Sequence, residues 1–266
     1  MSVDFLNNQK NAIVYSYHNR QKDIKDNRCY KQLRYSIDSL RKFNQNIPVY
    51  IYISPMSIDT SSLDFGKNTN IVKFDLVGDD GGWPEDWVRL GYLELLKHRW
   101  ENAIASVHSY GLDNILYLDT DTIFHNDAIL LFNKYGSTRH LWAKPDNWYD
   151  LMPKIGVGNG MNDGQFMLSR QLATNEILNH IKFYVNDVLS KNKSKITEKE
   201  YLIVSWVSVQ YGVWDYFNVT NNPVKYFDEY ESMISNEVDY KNTDNLILHH
   251  YFSGNTSKYV PEQYLL

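Results

Sequence analysis

The chain has 266 residues, enough for one large domain or two small ones, with a core that needs no disulfide staples. A formal net charge of −5 and a pI near 5.9 leave no electrostatic footprint for nucleic acid, and the lone Cys29 excludes a disulfide framework or a thiolate metal cluster. The N-terminal "MSVDFLNNQKNAIVYSY" has no cationic segment, and no stretch reaches the roughly 18 apolar residues that span a bilayer, so a soluble, cytoplasmic protein of a reducing compartment is expected.

In chain order, "NAIVYSY" (11–17) reads as a short strand, and Leu33, Ile37 and Leu40 mark one face of a helix. "PVYIYIS" (48–54) and "NIVKFDL" (70–76) read as strands. "GDDGGWP" (78–84) is a loop in which Pro84 suits a helix start. A helix over "EDWVRLGYLELLKHRWENAIASVHSY" follows, with Gly111 placed to stop it. Next comes "NILYLDTDTIFHND" (114–127), a strand buried on both faces that ends at Asp119 and Asp121. Strands alternating with helices predict an α/β fold with a mostly parallel sheet, whose ligands bind at the carboxyl ends of the strands.

The second half is less regular. "RHLWAKP" (139–145) reads as a strand, residues 146–164 as a long glycine-rich loop, and "QFMLS" as a further strand. Ile177, Ile181, Tyr184 and Val188 give a helical core stripe, whereas "EYLIVSWVSVQYGVW" (200–214) fits helix or strand equally. The C-terminal "NLILHHYFSGNTSK" runs from a strand into a histidine pair, a glycine and a lysine. No repeat or linker divides the chain, so residues 1–266 are expected to form a single domain.

The two aspartates are the sharpest chemical feature. An extended backbone points Asp119 and Asp121 the same way, and like charges that close destabilise one another unless a cation lies between them. A solvated strand end or an Asx turn is the plain alternative to a divalent metal site. The 15% aromatic share, with 21 tyrosines and 7 tryptophans, leans slightly toward carbohydrate.

Taken together, "VRLGYLELL", "ILYLDTDTIF", "NDGQFMLS" and "HHYFSGNTSK", in that order, resemble a GT-A glycosyltransferase, closest to the glycogenin and galactosyltransferase type of glycosyltransferase family 8. The resemblance implies a GT-A fold, transfer of a hexose from a nucleotide-diphosphate sugar (a UDP-sugar) with retention of configuration, and Mn²⁺ or Mg²⁺ as cofactor, with no nucleic-acid partner and no membrane span. It implies metal ligation by Asp119, Asp121 and His250, with His249 as the rival to the last, and donor contacts from the Asp119-Thr120-Asp121 triplet. Arg89 would be a cation facing the donor, Gly254 and Lys258 would meet the distal phosphate, and Tyr15, Tyr17 and His18 would border the uracil. Asn162, in Asn162-Asp163-Gly164, would contact the transferred sugar, and Asp163 would face either sugar hydroxyls or solvent.

The sequence departs from the family in two places. Gly254 and Lys258 fall four and eight residues after His250 rather than three and six. The family's Asp-Gln pair beside the reacting carbon has no counterpart; Glu198 and Glu200 come nearest. Three alternatives stay open: an inverting GT-A enzyme with Asp163 or Asp150 as base, a haloacid dehalogenase-type phosphatase with Asp119 as nucleophile, and a catalytically silent sugar-nucleotide-binding module.

Overall fold

A computed structural model of the chain describes residues 10–19, 24–75, 90–136, 138–145, 160–192, 194, 198–234, 245–251 and 256–264. Its first strand, β1 (Asn11–His18), is central because both its faces are apolar. Ala12 and Val14 point into one core cluster and Ile13, Tyr15 and Tyr17 into the other. Helix α1 (Arg28–Phe43) starts at Asn27, whose side-chain oxygen accepts from the Cys29 N–H at 2.9 Å. Its stripe of Leu33, Ile37 and Leu40 packs into the second cluster, as the spacing predicts. Leu40 is completely enclosed, so Leu40→Ala is expected to lower the unfolding free energy by about 2–5 kcal/mol in a denaturant titration.

Strands β2 (Val49–Ser54) and β3 (Thr69–Lys73) follow, then α2 (Leu90–Ser109), which turns Trp100, Ala103, Ile104 and Val107 onto the sheet. Beyond its end Gly111 adopts a φ of +62°, which a side chain would oppose. The expected helix start near Pro84 lies outside the described residues. Then come β4 (Asn114–Leu118), β5 (Thr122–Phe124), α3 (Ile129–Tyr135), β6 (Trp142–Pro145) and β7 (Met161–Ser169). Helices α4 (Asn175–Asn192) and α5 (Glu198–Val219) precede β8 (Lys225–Tyr226), β9 (Ser232–Ile234), β10 (Leu248–His250) and the short α6 (Thr256–Tyr259).

A seven-stranded sheet runs in the order β3-β2-β1-β4-β7-β6-β8. Its pairings are parallel except the two that involve β7, so β7 alone runs against the rest. This is the expected mostly parallel α/β sheet. A second sheet, β5-β10-β9, lies beyond the end of β4. Two differences from the sequence expectation have physical causes. The ambiguous 200–214 segment is helical; within it residues 207–213 are all buried, so no solvent face imposes a period there. The strand read as "QFMLS" begins earlier, at Met161, and takes Asn162, Asp163 and Gly164 into the sheet. Among the described residues no helix is long and apolar enough to cross a membrane.

Candidate metal and donor site

The chain leaves β4 at Leu118 and enters the small sheet at Thr122, and the Asp119-Thr120-Asp121 turn between them is pinned at several points. The Asp119 N–H donates to the Gly164 carbonyl at 2.7 Å, and the Thr122 hydroxyl donates to the Asp119 carbonyl at 3.0 Å. Thr122 Oγ1 also lies 3.0 Å from Ser36 Oγ on α1, and the Asp121 carbonyl accepts from the Tyr251 N–H at 3.1 Å. Thr120 is turned to Gln32, 3.4 Å away, rather than outward.

Antiparallel pairing of β10 with β5 sets His250 opposite Thr122. His250 Nε2 therefore lies 3.1 Å from Asp121 Oδ1. One ligand atom each from Asp119, Asp121 and His250 fall within 4.8 Å of one another. Strand alternation sends the rival His249 the other way, where its ring meets Tyr259 edge-on at 5.0 Å.

A glycine makes this convergence possible. A Cβ at position 164 would lie 2.7 Å from Asp119 Oδ2, 2.7 Å from His250 Cε1 and 2.9 Å from Asn162 Oδ1. Asn162 is itself turned inward, its Oδ1 accepting from the Gly164 N–H at 2.9 Å.

The electrostatics fit a cation. Burial pushes the Asp119 carboxyl up to about 6; Arg99 and His250 oppose that rise, while Asp121 and Asp163 add to it. Burial disfavours the charged form of His250, yet the pull of Asp121 and Asp119 outweighs it and raises its pKa. Asp121 retains 9% of its side-chain exposure and Asp119 27%, so Asp119 is the carboxylate with more contact to solvent.

Sequence reasoning missed one cation that completes the site. Arg99, on α2, donates from Nη2 to Asp119 Oδ1 at 2.8 Å and from Nη1 to Asp163 Oδ1 at 2.5 Å. Arg89, the residue the resemblance pointed to, lies outside the described residues. A signal for Arg99 was present: it falls one residue before Trp100 and four before Ala103, a charge on the buried flank of an apolar stripe. Asp163 faces neither solvent nor an open cleft. It is fully enclosed, and it also accepts from Trp100 Nε1 at 3.3 Å and Gln210 Nε2 at 3.0 Å.

The remaining residues divide. Tyr15 and Tyr17 are core residues, bonded to Ser36 and Asn19 at 2.8 Å each. His18 is half-buried at the carboxyl end of β1, with Nδ1 2.7 Å from Ser54 Oγ. Lys258 is exposed on α6, its Nζ 5.2 Å from the Tyr259 ring centre. Gly254, Asp150 and the side chains of Glu198 and Glu200 lie outside the described residues.

No protein-family model matches this sequence, nor does any curated protein. Among solved structures the chain is similar to an active-site mutant of LgtC, at a TM-score of 0.53 and 16% identity over 90% of this chain and 86% of that one. It is also similar to the galactosyltransferase LgtC in complex with donor and acceptor sugar analogues, at a TM-score of 0.48 and 14% identity over the same shares. The first of these likenesses identifies the fold as GT-A, the class the motif order predicted.

Proposed function

We propose that this chain is a glycosyltransferase that moves a sugar from a nucleotide-diphosphate donor, a UDP-sugar, to an acceptor hydroxyl with retention, using Mn²⁺ or Mg²⁺. One observation carries the reading: Asp119, Asp121 and His250 converge against Gly164 at the carboxyl end of β4, in a fold shared with LgtC. In such sheets that edge is where ligands bind.

The residues fit the ion. Two carboxylates and an imidazole suit Mn²⁺, and the carboxylates suit Mg²⁺. The missing Cβ at 164 keeps the space between the ligands clear, and a carboxyl pushed up to about 6 beside a second carboxylate is relieved by a cation. Bound there, a divalent cation supplies charge stabilisation for the departing diphosphate.

The protein's own groups do the rest. Asp119 and Asp121, pinned through their backbone, present carboxylates in a fixed orientation, which removes reorganisation from the reaction. Asn162 Oδ1 is committed to Gly164, which leaves its amide N–H₂ as the group offered to the sugar. Lys258 provides a point charge for the distal phosphate, and His18, unlike Tyr15 and Tyr17, keeps exposed surface for the base. In transfer, the bond from the anomeric carbon to the diphosphate oxygen breaks as the bond to the acceptor oxygen forms on the same face. The acceptor proton passes to the departing diphosphate, so no separate base is needed. The enclosure of Asp163 counts against it as the base of an inverting route, since a base must reach the acceptor hydroxyl.

Thermal unfolding tests the reading. UDP is expected to stabilise the protein only with Mn²⁺ or Mg²⁺ present, by about 2.7 kcal/mol at a hundred times its dissociation constant. Equal stabilisation by UDP in excess chelator overturns the metal role. No stabilisation by any nucleotide or nucleotide sugar with Mn²⁺ overturns the donor.

A further inference from the structure

Arg99 is gripped between two carboxylates, and the far one never meets solvent. A guanidinium is planar and holds its donors in a fixed fork, so anchoring Nη1 on Asp163 dictates where Nη2 points. The anchor is itself immobile, because Trp100 and Gln210 donate to Asp163 from α2 and α5. Trp100 stacks on Phe166 at 4.0 Å and 8°, which fixes the ring that donates to Asp163, and the Tyr117 ring lies 5.5 Å from Arg99 Cζ. Arg99 is thereby committed to Asp119 Oδ1, whereas Asp119 Oδ2, like His250 Cε1, lies 2.7 Å from where a Cβ at 164 would stand.

We propose that Asp163 is a positioning residue that acts through Arg99: it keeps Asp119 Oδ1 occupied, so that Asp119 offers a divalent cation one oxygen only. This rests on the reading of Asp119, Asp121 and His250 as a cation site. The consequence is selectivity. Ca²⁺ takes six to eight oxygens and favours carboxylates that bind through both, while Mg²⁺ holds to six ligands at short range. A capped Asp119 therefore disfavours Ca²⁺ against Mn²⁺ and Mg²⁺. Asp163 also adds an anion that offsets the repulsion between Arg99 and the incoming cation. Without that anion Arg99 loses the anchor that holds Nη1 away from Asp119, and its fork can close on both Asp119 oxygens and compete for Oδ2.

The test is Mn²⁺ binding to the whole protein without nucleotide, read from the electron paramagnetic resonance signal of free Mn²⁺, with Ca²⁺ affinity obtained by competition. Asp163→Asn is expected to weaken Mn²⁺ binding about ten- to hundredfold, the range typical of groups that orient a ligand. The double variant Arg99→Met, Asp163→Asn removes the competing cation. It is expected to recover most of that affinity and to narrow the preference for Mn²⁺ over Ca²⁺ by about tenfold. Because it removes both buried charges together, it is the variant better placed to fold, checked by circular dichroism, and its Ca²⁺ to Mn²⁺ ratio tests the inference alone. Unchanged Mn²⁺ affinity in Asp163→Asn, or a double variant with the wild-type preference, overturns the positioning role and leaves the cation site standing. Wild-type protein that binds no Mn²⁺ overturns the cation site and this inference together.

Discussion

Asp121→Asn is expected to reduce sugar transfer, or the slow hydrolysis of the donor that stands in for it, by at least about a hundredfold, or ~2.7 kcal/mol in the barrier. The substitution is nearly isosteric and the side chain is 9% exposed, so the pocket keeps its shape while losing one anionic ligand. The loss has two parts. A neutral amide oxygen binds a divalent cation more weakly than a carboxylate does, and His250 Nε2, 3.1 Å from Asp121 Oδ1, exchanges a charged partner for a neutral one. Apo stability is the control. Asp121 adds repulsion at Asp119 and attraction at His250, so the two effects of removing its charge oppose one another and the apo protein should unfold at nearly the same temperature. A fall in activity with no loss of apo stability separates a ligand from a folding residue. Retained activity with normal metal dependence returns Asp121 to the role of a solvated strand end.

The motif-bearing parts of this site were legible in the sequence because each has a local signature. "ILYL" before the aspartates is a doubly buried strand, the Leu33, Ile37 and Leu40 spacing is a helix face, and the histidine pair follows an apolar run. What was hidden depends on residues distant in sequence. The resemblance already named His250 over His249, but the physical reason, the register of β10 on β5, is one no local pattern encodes. The Arg99 link to Asp163 spans 64 positions, and the Gln210 link 47, and each is made by side chains that look ordinary in their own segments. The tyrosines of β1 misled for a related reason: an aromatic at a strand end suits a base or a core equally, and Tyr15 and Tyr17 went to the core. Charge was read from composition as an exterior property, whereas Arg99 and Asp163 use it inside.

Gly164→Ala is expected to be as damaging as loss of a ligand, although it adds only a methyl group. The backbone at 164 has no positive φ, so alanine meets no conformational penalty there, and the effect comes from space alone. The new Cβ would stand 2.7 Å from both Asp119 Oδ2 and His250 Cε1, well inside contact distance. Neither neighbour yields easily. Asp119 is held at its other oxygen by Arg99 and through its backbone N–H by the Gly164 carbonyl, and His250 is 3% exposed in a strand paired on both sides. Overpacking of this kind costs about 1–3 kcal/mol of stability, which a chain this size tolerates. The ligands, however, must separate, and misplacement of about 1 Å in a reacting constellation costs on the order of a hundredfold in rate. The expected result is a folded protein with circular dichroism like wild type, Mn²⁺ affinity down at least about tenfold, and transfer down at least about a hundredfold. An alanine variant that binds Mn²⁺ as the wild type does would show that Asp119 and His250 do not share a ligand across position 164.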